Sequence, residues 1–130
     1  MPKFSKRSRK RLEECDERLQ RLFNEVIKSY DCTILCGHRS KEEQEKMYEQ
    51  GRSKLRWPAS KHNKRPSMAV DVAPWPIDWT DMGSFYMFVG YVKRVAEEMN
   101  IPLRCGADWD MDGYTKDQMF NDLVHFELKE

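Results

Sequence analysis

The sequence contains no apolar run long enough to cross a bilayer and no excess of charge of either sign. Lys and Arg number 23 against 22 Asp and Glu, which leaves a formal net charge of +1, so no overall field points to nucleic acid or a membrane surface. Repeats, low-complexity segments and linkers are also absent. The 130 residues, 39% of them hydrophobic, predict a single globular domain over 1–130. We expect a monomer with no nucleic-acid partner and no stable membrane insertion.

A recognisable signal peptide is missing as well. The first residues, MPKFSKRSRKR, are basic, but no apolar segment follows them, so they do not resemble a Sec signal. We therefore expect a protein that is made and kept in a cytoplasm, or that leaves by a route without a signal. Residues 1–10 are predicted to be a solvated basic lead-in to the first helix, with contact to an anionic surface as the alternative.

The sequence lacks the CxxC pairs that are typical of structural zinc sites and redox motifs. For Cys15, Cys32, Cys36 and Cys105 we predict buried free thiols, with a structural zinc site as the weaker alternative. Cys36 also stands two residues before His38, which suggests a nucleophile and its base. Residues so close in sequence rarely form such a pair, because the spacing must fit a turn.

Two helices are predicted in the first half of the chain. Apolar residues recur at intervals of three and four over residues 12–30, which predicts one continuous amphipathic helix. A second helix should begin after Ser40, because Glu43 stands three residues later as in a capping box, and Gly51 should end it.

The rest of the chain adds a third helix to four short strands. The helical stripe begins at Asp81 or Ser84 and continues to Met99. The predicted strands are CTILC, SMAVDVA, IPLRC and LVHFEL. This order of elements predicts an α+β fold, in which a small, mostly antiparallel sheet packs against about three helices.

Histidine is scarce, and two of the three histidines stand in or near predicted strands. His62 lies in a basic loop nine residues before Asp71, and His125 lies in the last strand. Adjacent strands can bring these side chains together at one edge of the sheet. Two neutral imidazoles and one carboxylate suit Zn²⁺ and leave a net charge of +1, which favours hydroxide over water. The spacing alone does not identify a site, because a lone histidine in a polar loop is usually a surface residue.

Acids flank His125 on both sides. Asp122 stands three residues earlier, where a turn can fold its carboxylate over the same point, which makes it a candidate general base. Glu127 stands two residues later and therefore shares a strand face with His125, so that it can support the imidazole ring.

The acidic loop GADWDMDGYTKDQMFND begins in the way a calcium-binding loop begins. Asp108, Asp110 and Asp112 alternate before a glycine, like the first oxygen donors of an EF-hand. The pattern then breaks, because Met119 stands where the bidentate glutamate belongs, although Asp117 offers a substitute from an earlier position. A Ca²⁺ site and a solvated acidic loop both remain open.

Three segments occur in an order that resembles one family of zinc peptidases: GHRSKEEQ, SKHNKRPSMAVDVAP and DLVHFEL. That family includes D-alanyl-D-alanine carboxypeptidases and phage L-alanyl-D-glutamate endopeptidases, and the resemblance implies their DD-peptidase/hedgehog-like zinc fold. It extends from about Asp31 to Leu128. The long loop between His62 and Asp71 favours the phage branch.

The resemblance implies a role for each matching residue. His62, Asp71 and His125 are the expected zinc ligands, Asp122 is the expected general base, and Arg39 is the expected clamp for substrate or oxyanion, exposed in a cleft. Residues expected to support a ligand or to contact substrate are Ser60, Gln44 and Glu127. For the serine, a hydrogen bond to the backbone of its own loop is an equally open role.

The resemblance also implies an activity, which is hydrolysis of the peptide stem of bacterial peptidoglycan, with the L-Ala–D-Glu bond as the expected target. A D-Ala-D-Ala carboxypeptidase and a non-catalytic wall-binding module are the alternatives. Zn²⁺ is the expected cofactor and Ca²⁺ a second candidate. The resemblance implies a bacteriophage endolysin, which lyses the host cell after it reaches the wall through a holin-type pore. A carboxylate-rich stem matches the basic residues of the central loop: Arg52, Lys54, Arg56, Lys61, Lys64 and Arg65.

Overall fold

The computed structural model describes residues 2–107 and 123–129, and these form a four-stranded sheet. The strands are β1 (Cys32–Cys36), β2 (Ala69–Pro74), β3 (Leu103–Cys105) and β4 (His125–Leu128). Their order in the sheet is β1-β2-β4-β3, and each neighbouring pair is antiparallel. The predicted α+β fold with a small antiparallel sheet is confirmed.

The described part of the chain contains four α-helices, one more than the sequence pattern predicts. They are α1 (Lys6–Glu13), α2 (Glu17–Val26), α3 (Lys41–Glu49) and α4 (Met82–Glu98). None of these helices is long and apolar enough to cross a membrane. The continuous helix predicted over residues 12–30 is wrong, because Cys15 pairs with Ser67 and Asp16 caps a new helix by accepting a hydrogen bond from Arg18 N.

The other sequence signals for helix ends act within a few residues, and the helices begin and end where these signals predict. Ser40 Oγ accepts a hydrogen bond from Glu43 N at 3.2 Å, and Ser40 N donates to the Glu43 carboxylate at 2.9 Å, so the predicted capping box is confirmed. Gly51 follows the end of α3 with a φ of 73°, a conformation that glycine adopts without strain. Of the two predicted starts for α4, Asp81 is the cap, and its carboxylate accepts from Ser84 N at 3.2 Å.

One face of the sheet carries the hydrophobic core. Alternate residues of β2 and β4 are fully buried: Val70, Val72, Phe126 and Leu128. The ring of Phe126 lies 5.4 Å from that of Phe23 in α2 and 6.1 Å from that of Phe88 in α4, in both cases edge to face. Burying one such ring stabilises the fold by about 1.5–3 kcal/mol. Because strand residues alternate in direction, Asp71, His125 and Glu127 point to the opposite face.

The outer edge of β1 is covered by α1. Ile34 N donates to Ser8 Oγ at 3.0 Å, and Ile34 O accepts from the Arg11 guanidinium at 3.0 Å, so the outward backbone groups of Ile34 are satisfied. Ser8 is buried, and its hydroxyl lies 3.1 Å from that of Thr33. Residues 6–10 of the predicted lead-in already belong to α1, and among residues 2–10 only Ser8 is buried.

None of the four cysteines forms a disulfide. Cys15, Cys32 and Cys105 are buried, as predicted, and burial raises the pKa of Cys15 and of Cys32 to about 12. Both of these thiols are therefore protonated and unreactive at neutral pH. Cys36, at the end of β1, is only partly buried and lies beside His62.

Gly37 brings three parts of the fold together directly after β1. A Cβ atom on this residue would lie 2.2 Å from Arg11 O at the end of α1 and 3.0 Å from the Glu14 carboxylate, so glycine is required for this close approach. Gly37 O accepts a hydrogen bond from Ser67 Oγ at 3.2 Å and lies 2.7 Å from His62 Nδ1. The glycine therefore joins α1, β1 and the loop that carries His62.

Gly37→Ala should lower the free energy of unfolding by about 1–3 kcal/mol, the usual cost of forcing extra atoms into a packed site. The new methyl group overlaps a backbone carbonyl, which cannot move without moving α1. Urea unfolding followed by circular dichroism measures the change, and equal stability of the variant and the wild type would contradict the close approach.

Gly90→Ala is the matched control for this substitution. A Cβ atom at Gly90, within α4, meets nothing within 4 Å. The same change of side chain should therefore raise the free energy of unfolding by about 0.5–1 kcal/mol, because alanine loses less backbone entropy in a helix than glycine does.

Candidate functional site

The three side chains that the sequence suggests as metal ligands meet at one point. Asp71 Oδ1 lies 3.2 Å from His62 Nε2 and 3.3 Å from His125 Nδ1. Asp71 and His125 are direct partners in the pairing of β2 with β4, and His62 approaches from a 3₁₀ turn over Lys61–Asn63. The sheet register and this turn together place one nitrogen of each histidine beside the same carboxylate oxygen.

The turn that carries His62 is held by its own caps. Ser60 Oγ accepts a hydrogen bond from His62 N at 3.2 Å, and Ser60 N donates to Asn63 Oδ1 at 3.1 Å. His62 O accepts from Arg39 N at 2.8 Å, which ties the turn to the segment before α3. Ser60 is buried, and its hydroxyl contacts the backbone of its own loop. The serine thus orients the histidine through the main chain.

The outer nitrogen of each imidazole has an acceptor that determines its tautomer. His62 Nδ1 lies 2.7 Å from Gly37 O, and His125 Nε2 lies 2.9 Å from Glu127 Oε1. A carbonyl or carboxylate oxygen can only accept, so these nitrogens carry the hydrogens. In the neutral rings the remaining lone pairs, on His62 Nε2 and His125 Nδ1, both face Asp71. This is the arrangement in which metal-binding histidines are usually supported.

Two imidazole lone pairs and the Asp71 carboxylate face one another, and this arrangement is stable only if a positive charge lies among them. Burial alone would lower the pKa of His62, but the Asp71 carboxylate outweighs it and raises that pKa to about 10. The pKa of His125 is also raised, because hydrogen bonds with Asp71 and Glu127 outweigh its burial. Burial alone would raise the pKa of Asp71, yet the two histidines hold it well below its ordinary value. The site therefore stabilises either protons on the two rings or a cation held by the three side chains.

Cys36 forms a second candidate ligand set with His62 and Asp71. A bulge in the pairing of β1 with β2 sets Cys36 opposite Asp71, and Cys36 Sγ lies 3.9 Å from His62 Nδ1. That nitrogen already bonds Gly37 O, and the ligand atoms of Cys36, His62 and Asp71 all lie within 4.8 Å of one another. Two candidate sets thus share His62 and Asp71 and differ in whether Cys36 or His125 is the third member. The ring that the thiol contacts is that of His62 and not that of His38, the partner considered from the sequence.

Glu127 is held by three donors. Besides His125 Nε2, its carboxylate contacts the Arg104 guanidinium at 2.9 Å and Lys61 Nζ at 3.2 Å. Burial alone would raise the pKa of Glu127, but the hydrogen bonds from His125 and Arg104 outweigh it and lower that pKa to about 2. Glu127 is thus ionised and remains an acceptor for His125. Sequence reasoning missed Lys61 and Arg104 as its partners, because cross-strand neighbours depend on a register that the sequence does not display.

Arg39 is buried, with 7% of its surface exposed, so the prediction of an exposed arginine is wrong. Its Nη1 donates to Gln44 Oε1 at 2.9 Å, and its Nη2 lies 3.6 Å from Asp71 Oδ2. The guanidinium still lines the cleft beside Asp71. The burial has a physical reason, because the amide of Gln44 and the carboxylate of Asp71 replace the water that a free guanidinium would need.

Gln44, which is fully buried, connects Arg39 to the wall of the cleft. Its Oε1 accepts from Arg39 and also from Asn63 Nδ2 at 3.3 Å. Its Nε2 donates to Leu55 O at 2.6 Å and to Ser53 Oγ at 3.0 Å. Two donated and two accepted bonds use the full capacity of the amide. The loop after α3 and the guanidinium near Asp71 are therefore held by one side chain.

A cleft of about 710 Å³ is lined by residues of this site, among them Arg39, His62, Asp71, His125 and Glu127. In the described part of the chain its cationic members are Arg39, Arg52, Lys54, Lys61 and Arg104, and its acidic members are Asp71 and Glu127. The excess of cations suits an anionic ligand. The predicted base Asp122 and the four acids of the predicted calcium loop, Asp108, Asp110, Asp112 and Asp117, lie outside the described residues.

Comparisons with known proteins agree along nearly the whole chain. The family model described as phage L-alanyl-D-glutamate peptidase matches residues 1–129. The L-alanyl-D-glutamate peptidase of Escherichia phage T5 is 32% identical over 122 residues, which cover 90% of this chain and 88% of that protein. The crystal structure of the Serratia marcescens L-Ala D-Glu endopeptidase ChiX is similar with a TM-score of 0.76 and 25% identity, covering 96% of this chain and 88% of that one.

Gln44→Ala should lower the free energy of unfolding by about 2–4 kcal/mol, because it leaves a cavity and strips partners from buried polar groups. Urea unfolding measures the loss. Gln50→Ala is the control: Gln50 is the exposed C-cap of the same helix, so the same change should alter stability by less than about 0.5 kcal/mol. Similar small effects in both variants would contradict the connecting role of Gln44.

Proposed function

The chain belongs to the phage L-alanyl-D-glutamate peptidase family, and from this premise we propose that it is a zinc-dependent peptidase that hydrolyses the L-Ala–D-Glu bond in the peptide stem of bacterial peptidoglycan. The observation that carries the proposal is the convergence of His62 Nε2, Asp71 Oδ1 and His125 Nδ1 in a cleft lined by cations. The relatives named above are peptidases of this bond. In the cell the protein would act as an endolysin, on the wall, after release from the cytoplasm.

The donor set fits Zn²⁺. Two imidazole nitrogens and one carboxylate are the ligands of many catalytic zinc sites, and they leave positions open for water and substrate. Gly37 O and Glu127 fix the tautomers that present both lone pairs. A zinc ion bound by His62, Asp71 and His125 would supply Lewis acidity, which favours hydroxide near neutral pH and polarises a carbonyl group.

Side chains of the protein are proposed to transfer the proton of the attacking water and to stabilise the charge on the scissile carbonyl oxygen. Asp122 is proposed as the general base: its carboxylate takes a proton from the attacking water and returns it to the nitrogen of the leaving D-Glu. Arg39 is proposed to stabilise the negative charge that develops on the scissile carbonyl oxygen. Gln44 keeps the guanidinium of Arg39 oriented at the cleft wall, and Glu127 keeps the ring of His125 in the tautomer that the site requires.

Digestion of purified cell walls tests the proposed function. Mass spectrometry of the released fragments should show new carboxyl ends at L-Ala and new amino ends at D-Glu. A chelator should abolish the release, and added Zn²⁺ should restore it. Release of D-Ala alone would instead indicate a carboxypeptidase, and cleavage that persists in the chelator would contradict the dependence on metal.

Removing any proposed ligand should remove the metal. His62→Ala, Asp71→Ala and His125→Ala should each purify with far less than one zinc ion per chain and without lytic activity, as measured by elemental analysis and by clearing of walls. Cys36→Ser is the comparison variant: the proposed ligand set does not include the thiol, so this variant should retain its zinc. Loss of zinc in Cys36→Ser together with retention in His125→Ala would establish the alternative set.

Asp122→Asn should separate binding from catalysis. The amide keeps the shape of the side chain but cannot accept the proton, so turnover should fall by about two orders of magnitude or more, the range usual for loss of a general base. Zinc content should stay at the wild-type level. A variant without zinc would show that Asp122 is a ligand or a structural residue rather than the base.

A further inference from the structure

In the part of the chain that the structure describes, Arg52 differs from the other cations of the cleft because its guanidinium has no carboxylate partner. Arg39 contacts Asp71 and Gln44, and both Lys61 and Arg104 contact Glu127. Lys54 also has an interaction partner. Among residues 2–107 and 123–129, no carboxylate is paired with the side chain of Arg52, which is exposed and lines the cleft. The charge of Arg52 is thus the one in the described cleft that a ligand can engage without displacing an internal partner.

The backbone of Arg52 is fixed by the end of α3. Gly51 N donates to Tyr48 O at 3.1 Å, and Arg52 N donates to Met47 O at 2.9 Å. With Gly51 at a φ of 73°, these two bonds form a Schellman motif. The next part of the loop is held to Gln44 through Ser53 and Leu55. Arg52 therefore presents its side chain from a rigid position rather than from a free loop.

The chemistry of the proposed substrate supplies a matching anion. In an L-Ala–D-Glu bond the glutamate contributes its nitrogen, and only one of its two carboxyl groups is needed to continue the peptide. The other carboxyl group is free, ionised at neutral pH and only a few bonds from the scissile nitrogen. A guanidinium binds such a group through two parallel hydrogen bonds, and its charge is permanent.

We propose that Arg52 binds the free carboxylate of the glutamate on the leaving side of the scissile bond, and that it makes the site selective for stems with an acidic rather than an amidated glutamate. The proposal rests on the proposed function. In this proposal Arg52 determines which substrate is preferred, and the groups around Asp71 carry out the hydrolysis.

A pair of synthetic stem peptides tests this assignment. Both contain the L-Ala–D-Glu bond, and they differ only in whether the free carboxyl group of the glutamate is a carboxylate or a carboxamide. The kcat/KM of the wild-type, zinc-loaded protein should be about 10- to 100-fold higher for the carboxylate peptide, the usual effect of a charged hydrogen bond. Arg52→Gln should cleave the two peptides with kcat/KM values within about threefold of each other.

Arg56→Gln is the matched control. It removes the same charge four residues away, but Arg56 pairs with Glu45 and stacks on Tyr48, and it does not line the cleft. Its preference for the carboxylate peptide should equal that of the wild type. If Arg52→Gln fails to fold, Arg52→Lys decides, since it keeps the charge without the fork and should show a reduced preference; an unchanged preference in Arg52→Lys would then overturn the proposal.

The remaining outcomes separate the two proposals. A wild type that cleaves between Ala and Glu without preferring the carboxylate peptide overturns the role of Arg52 and leaves the proposed function intact. The same holds if folded Arg52→Gln keeps the wild-type preference. A wild type that cleaves neither peptide at this bond overturns the proposed function, and this inference with it.

Discussion

The site depends on the carboxylate of Asp71, which lies between two imidazoles at the edge of the core. One of its oxygens is 3.2 Å from His62 and 3.3 Å from His125, and the other is 3.6 Å from Arg39. Groups that are sheltered from water in this way are stable only when their charges compensate one another. The register of β2 with β4, the capped turn at His62 and the Arg39–Gln44 pair all keep these charges together. The fold and the site are therefore stabilised by the same contacts.

Much of the fold is predictable because its signals are local. The capping box at Ser40 and the glycine after α3 act within a few residues, and the structure follows both. The boundary between α1 and α2 is different. It exists because Cys15 pairs with Ser67, more than 50 residues away in sequence, while the apolar spacing runs on through the break. A periodicity argument cannot detect an interruption that a distant segment imposes.

The site likewise has features that the sequence predicts and features that depend on distant parts of the chain. His62, Asp71 and His125 can be proposed from residue type and order, and the structure brings them together. The position of Cys36 beside His62 depends on a bulge, and the partners of Glu127 depend on which residue of β3 lies across from it. The burial of Arg39 depends on a glutamine that completes its hydrogen bonds. Each of these facts is set by register or packing, which a single sequence does not display.

The cover that α1 provides over β1 also has a consequence for how the protein behaves in a crowded solution. An open strand edge is a template on which a second chain can add a strand, and this is a common route to aggregation. Here Ser8 and Arg11 occupy the outward groups of Ile34, and the strand at the other side of the sheet is only three residues long. The first helix thus prevents a second chain from pairing with β1. Removing α1 would expose this edge and lower the solubility of the protein, although the helix contributes no residue to the cleft.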